Sequence, residues 1–241
     1  MAPGYTGSFT DESWLACPGA HLFPSFLFLF LFSFSFFFFF RISGDDQLMI
    51  YIVRHGQTEN NKAHVLQGRS DVPLNAEGIK QAKALRDRFA NEGIRLDLVF
   101  TSPLIRAIQT ADILTGNSNV YKILDERLIE MDYGPYEGMD LLNPAPEVKT
   151  FFSDFAHNPA PKGMEPLSDV VARLGSFLDD IKAEAQHKNV LISTHAIAMK
   201  GALEYLTPDS EGSYWSKYIG NCAVYAATIS ADGHILVPYE W

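Results

Sequence analysis

Leu48-Met49-Ile50-Tyr51-Ile52-Val53 runs without a break into Arg54-His55-Gly56. An apolar run that ends on an arginine and a histidine reads as a buried strand with polar chemistry at its carboxyl end. Open α/β proteins build their sites at that edge of the sheet. Gly56 is expected to let an anionic group approach the backbone closely. The continuation through Gln57-Thr58-Glu59-Asn60-Asn61 and Gln67-Gly68-Arg69-Ser70-Asp71-Val72-Pro73-Leu74 makes the tripeptide specific.

Beyond this strand, apolar runs alternate with helical patterns, which predicts an α/β fold: a three-layer, doubly wound, mainly parallel sheet with helices on both faces. Asn75 is a natural N-cap for a helix over 76–91 that ends at Gly93. Strands are predicted at 96–101, 120–124, 189–193, 222–229 and 234–237. Pro103 suits the first position of the helix that carries Arg106. Val170, Leu174, Phe177, Leu178 and Ile181 recur at helical spacing within 167–186, and 196–206 follows as another helix. A short helix is predicted at 151–157, in a region broken by Pro144, Pro146, Pro159 and Pro161. Residues 139–165 are expected to form a small cap over the strand ends.

The formal net charge of -10 argues against a nucleic-acid partner. Only Cys17 and Cys222 occur, too few for a disulfide framework or a zinc site, so a reducing, cytoplasmic setting is the expectation. Residues 1–48 read as an extension outside the domain. Leu22–Phe40 contains only Phe, Leu, Ser and Pro, the residues that all-pyrimidine codons encode. No Lys or Arg precedes it, so a signal peptide's basic leader is missing. It is read as a translated non-coding tract, with Met49 as the natural start. A membrane anchor or secretion signal through 22–40 is the alternative.

Four segments bring polar groups to one sheet edge. They are Arg54-His55 with Asn61, Ser102-Pro103-Leu104-Ile105-Arg106, Glu130-Met131-Asp132-Tyr133-Gly134, and Ser193-Thr194-His195. Two arginines, two histidines and one carboxylate suit phosphoryl transfer without a metal or other cofactor. Guanidinium forks match phosphate oxygens, an imidazole attacks phosphorus, and a carboxyl protonates the departing oxygen.

In these ordered motifs the chain resembles the histidine phosphatase superfamily, which includes the cofactor-dependent phosphoglycerate mutases, over nearly all of 49–241. The resemblance implies His55 as nucleophile, Glu130 as proton donor, and Arg54, Arg106 and His195 as the phosphate pocket. It implies substrate contacts from Asn61, Gln67, Gly68 and Ala196 as well. Gln57-Thr58 and the 67–74 run are similar to the broad phosphatase branch. Ala196-Ile197 stands where many members have Gly-Gly, and Lys200 where Arg is common. The implied activity is hydrolysis of a small phosphorylated metabolite. A mutase, or a non-catalytic phospholigand-binding module, is the alternative.

Other polar residues carry blander expectations. His64, His157, His187 and His234 match no motif and are read as surface or packing residues. Glu137-Gly138 is expected to cap a turn, and Lys62 and Arg69 to be solvated charges. Tyr133 and Tyr136 either line the pocket or pack, while Glu59 and Glu165 lie near the site with no assigned role. Oligomeric state is not readable.

Overall fold

β1, Met49–Arg54, forms where the sequence predicts it, and its register places the rest of the molecule. It pairs in parallel with β4, Val190–Thr194, so that Arg54 lies beside Thr194. β4 pairs in turn with β2, Leu98–Thr101, with Thr101 opposite Ser193. Arg54-His55, Ser102 and Thr194-His195 are therefore delivered side by side to one edge. The six-stranded order is β3-β2-β4-β1-β5-β6, where β3 is Tyr121–Leu124, β5 Val224–Thr228 and β6 Tyr239–Glu240. β5 runs antiparallel to both of its neighbours, β1 and β6, and the pairings among β3, β2, β4 and β1 are parallel. The computed structural model describes residues 48–116, 119–230, 235 and 238–241. The Phe-rich tract and His234 lie outside them.

Strand periodicity sorts the core into two layers. Ile50 and Ile52 face a cluster with Phe177, Leu178, Met199 and Leu203. These come from α5, Leu167–Ala185, and α6, Ala196–Leu206. Tyr51 and Val53 face the opposite cluster, with Leu85, Phe89, Ala111 and Leu114. Those belong to α2, Ala76–Asn91, and α3, Ile105–Leu114. This is the doubly wound arrangement, with helices on both faces of a mainly parallel sheet. Among the described residues no helix is long and apolar enough to cross a membrane.

α2 has the predicted bounds, with the Asn75 side chain accepting from Gly78 N–H at 2.8 Å. α3 does not begin at Pro103. Leu104 is extended, and the first helical amide, Ile105 N–H, donates to Asp71 Oδ1 at 2.6 Å. A distant carboxylate thus supplies the cap that local sequence lacks. The predicted helix at 151–157 lies earlier, as α4, Pro146–Ser153, because a proline is tolerated at the first helical position and here opens the helix. A short α1, Glu59–Lys62, was not foreseen; Thr58 and Asn61 close it with a reciprocal capping box. α7, Ser213–Ser216, is likewise new. Of the predicted strand at 234–237, Ile235 bridges Ile229, and the last strand is β6.

Gly56 also packs against the protein's own backbone. A Cβ on Gly56 would lie 2.6 Å from Gly78 O, and one on Gly78 would lie 2.1 Å from Gln57 O. The two glycines let the chain after β1 pass directly against the start of α2. Gly78→Ala is expected to lower stability by about 1–3 kcal/mol, the range for overpacking, because the obstructing atoms are backbone. Urea unfolding should show the midpoint falling; an unchanged midpoint would refute the packing account.

Candidate active site

His55 is buried at the end of β1, and its Nδ1 stands 2.7 Å from Gly56 O. A carbonyl only accepts, so Nδ1 is assigned the proton and Nε2 carries the free lone pair. Burial, then the charges of Arg54 and Arg106, push the imidazole well below its usual range. The ring is neutral at neutral pH.

Arg106, on α3, is fully buried and holds the centre. Nη2 donates to Gly68 O and Nη1 to Ser70 O, each at 2.6 Å, and Nε donates to His195 Nδ1 at 3.1 Å. Burial lowers the Arg106 pKa to about 10, so it remains charged. Because Arg106 Nε–H is always a donor, His195 Nδ1 must accept. His195 Nε2 then carries the proton and donates to Ser102 Oγ at 2.8 Å. Both ring nitrogens of His195 thus have protein partners, and its ring centroid lies 5.1 Å from that of His55. Burial and Arg106 push this second imidazole well below its usual range too.

Glu130 is buried against the first turn of α6. Its Oε1 accepts from Met131, Ile197 and Ala198 amides at 3.0, 3.1 and 3.0 Å. Oε2 receives only a 3.2 Å share of the Ile197 amide, leaving it the freer oxygen. Arg173, from α5, donates to Ile129 O at 2.6 Å and so fixes the backbone just before Glu130.

Arg54 is half-buried; Nη1 donates to Ile219 O, while the buried Nε has no partner. Gln67 accepts from Thr58 Oγ1 at 2.6 Å and leaves a buried, unpartnered Nε2. Asn61 Oδ1 is taken by Thr58 N–H and Asn221 Nδ2, each at 3.2 Å, so this residue shapes the loop and offers only its own Nδ2. Gly68 has no room for a side chain: a Cβ would meet Glu137 Oε2 and Met131 O at 2.6 Å. Ala196 is the first residue of α6, beside the two amides that hold Glu130.

The structure brings in residues without a sequence-based role. Ser102 fixes His195. Asn221 Nδ2 reaches His55 O at 3.1 Å, and Thr110 Oγ1 links Gly56 N–H to Arg106 O. Ser102 precedes the expected proline and shows itself by strand position alone; Asn221 carries no local signal. Tyr133 is buried among Glu130, Arg54 and Arg106, its hydroxyl pushed well above the usual range by burial. Tyr136 instead donates to Glu147 at 3.0 Å on the surface. Glu165 pairs with Arg173 at 2.7 Å, Arg69 with Asp132 at 3.5 Å, and His157 with Asp154 at 2.8 Å. Lys200 donates to Trp215 O at 2.7 Å and lies 5.0 Å from the Phe155 ring centre, its ammonium lowered to about 8 by burial.

A strand-end histidine set between two guanidiniums, with a carboxylate across the pocket, defines an enzyme of phosphoryl chemistry. The chain matches the pattern of the histidine phosphatase superfamily (branch 1) over residues 50–241 and belongs to that family. Phosphoserine phosphatase 1 of Hydrogenobacter thermophilus is 29% identical, covering 69% of this chain and 80% of the relative. The 2,3-bisphosphoglycerate-dependent phosphoglycerate mutase of Rhizobium meliloti is 32% identical over 65% of this chain and 78% of its own. In fold, the chain is similar to the Entamoeba histolytica phosphoserine phosphatase solved with 3-phosphoglyceric acid. That match has a TM-score of 0.67 at 24% identity and covers 80% of this chain and 96% of that one.

Native His55 and His195 resist protonation, whereas unfolded imidazoles titrate near a pKa of about 6.5. Below that pH the unfolded state binds more protons, so stability falls with acid until the native groups titrate as well. His55→Gln removes one such group. Thermal melts from about pH 7.5 to about pH 5.5 should show a smaller loss of Tm for the variant than for the wild type. Equal losses would contradict the neutral, buried assignment.

Proposed function

We propose that this protein hydrolyses small phosphomonoesters through a phosphohistidine on His55, in a catalytic domain spanning 49–241. The observation that carries the reading is the His55 ring itself. It is neutral, hydrogen-bonded through Nδ1 to Gly56 O, and flanked by two guanidiniums that disfavour its protonation. Nε2 attacks phosphorus in line, and the bond from phosphorus to the leaving oxygen breaks. Glu130, protonated on the freer Oε2, gives its proton to that oxygen and releases the alcohol. The Glu130 carboxylate then takes a proton from water as the water oxygen bonds to phosphorus. The P–N bond breaks, which frees inorganic phosphate and neutral His55.

Arg54, Arg106 and His195 hold the transferring group, with Gln67 Nε2 and the Ala196 amide among the further donors. The unpartnered Arg54 Nε and Gln67 Nε2 support this, since buried donors without acceptors suit an incoming anion. His195 reaches phosphate by exchanging one of its present partners. Fixed positive donors carry most of the rate enhancement in loose phosphoryl transfer. The cap at 139–165 selects the leaving group. Its Phe152 packs edge-on to Tyr133 and its Phe155 lies against Trp215, so the selecting wall is partly apolar. We read the compartment as cytoplasmic from the two cysteines.

His55→Ala should abolish turnover and acid-labile labelling by phosphate; label persisting on the variant would remove His55 as nucleophile. Glu130→Gln should slow alkyl phosphates by ~10²–10⁴-fold, the usual worth of general acid–base catalysis, while aryl phosphates with good leaving groups lose much less. Equal losses on both would remove Glu130 as the acid. Aryl phosphate hydrolysis measured beside 3- to 2-phosphoglycerate conversion separates phosphatase from mutase, and dominant conversion would reverse the reading.

A further inference from the structure

The amides of Gly68 and Ser70 converge on one carboxylate. Gly68 N–H donates to Glu137 Oε1 at 2.9 Å and to Oε2 at 3.0 Å, and Ser70 N–H donates to Oε1 at 3.1 Å. The carbonyls of the same two residues accept from Arg106, at 2.6 Å each. This loop is therefore strung between a carboxylate that takes its donors and a guanidinium that takes its acceptors. Convergent amides of this kind make an anion receptor, and here the chain's own Glu137 fills it.

The contact is built into rigid backbone. Gly138 N–H donates to Leu66 O at 2.9 Å, and Leu66 N–H to Met139 O at 2.8 Å, so the segments on either side are paired. The carboxylate lies flush on Gly68, where a Cβ would be 2.6 Å from Oε2.

We infer that Glu137 is a positioning residue for the phosphate pocket. It holds Gly68-Arg69-Ser70 in the conformation whose carbonyls aim Arg106, and it touches neither phosphate nor leaving group. The inference rests on Arg106 binding the phosphate, as proposed above. Hydrogen bonding, more than charge, is what the loop needs: Oε1 alone receives both amides, so a glutamine oxygen at that place keeps one bond from each and loses only the second Gly68 contact, the one to Oε2. Aspartate keeps the charge but is one methylene too short.

Calorimetric titration with inorganic phosphate tests this on the full-length protein, with cooperative melting as the check on folding. Arg106→Ala alone tests the pocket assignment: unchanged affinity would refute that assignment, and this inference with it. Given the expected loss in Arg106→Ala, Glu137→Ala should weaken phosphate about tenfold or more in the wild-type background, the worth of bonds to a charged group. In the Arg106→Ala background it should change affinity less than about twofold. Equal cost in both backgrounds would overturn the inference, since Glu137 would then act independently of Arg106. Glu137→Gln should stay within a fewfold of wild type and Glu137→Asp should resemble Glu137→Ala. The opposite ranking would overturn it, and this pair carries the test where the alanine variant melts non-cooperatively. Added formate should restore phosphate affinity in part to Glu137→Ala by occupying the vacated amides; no restoration counts against the inference.

Discussion

A fully buried guanidinium is the constraint around which the strand ends are organised. Arg106 has no exposed surface, and a buried charge is tolerated only when its donors find acceptors. The loop after α1 supplies two carbonyls and His195 supplies a ring nitrogen. Each partner is then constrained in turn. The loop needs an anchor for its amides, and Glu137 provides one. The imidazole is committed to one tautomer, and Ser102 receives its proton. The helix that carries Arg106 begins on the Asp71 carboxylate, from the same loop that its guanidinium grips. Loop and helix therefore fix each other.

The same charge governs the chemistry. Burial and then the charges of Arg54 and Arg106 act on both imidazoles in one direction, disfavouring protonation, and a neutral imidazole is the form able to attack phosphorus. Such a site would offer an anion two guanidiniums, while the His55 ring between them remains uncharged. Glu130 is the one carboxylate held across it by the backbone of α6, and its position follows from three amides, not from a cation. That leaves the guanidiniums available to the ligand instead of tied up in an ion pair with the acid.

How far this was legible in the sequence depended on the range of the interaction. α2 was readable to the residue because Asn75 caps it locally and Gly93 follows its end. The parallel strands were readable from apolar runs, and their parallel pairing carries Arg54, Ser102 and His195 to one edge. α3 was misplaced because its cap lies 34 residues away in Asp71. α4 was misplaced because prolines look like breakers until one is seen to open a helix. Glu137 was read only as a turn cap: its partners are Gly68 and Ser70, 69 and 67 residues earlier, and no local pattern reports such a pairing. The strand-end position of His195 was legible, but its links to Arg106 and Ser102 span 89 and 93 residues and have no local pattern.

The departure from Gly-Gly after the second histidine can be weighed on the same physical grounds. α6 begins at Ala196 with ordinary geometry, and what Glu130 uses there is the amides of Ile197 and Ala198. An amide donor is the same whether its residue is glycine or isoleucine, so the Glu130 carboxylate is held equally well. What the side chains of Ala196 and Ile197 change is volume, and Ile197 is buried in the cluster that also holds Phe177 and Met199. Lys200, one turn further along α6, donates to Trp215 O and lies by the Phe155 ring, and the Glu130 charge partly offsets the burial that lowers its ammonium. The departures thus keep the backbone donors of the first turn of α6 and change only the side-chain volume around them.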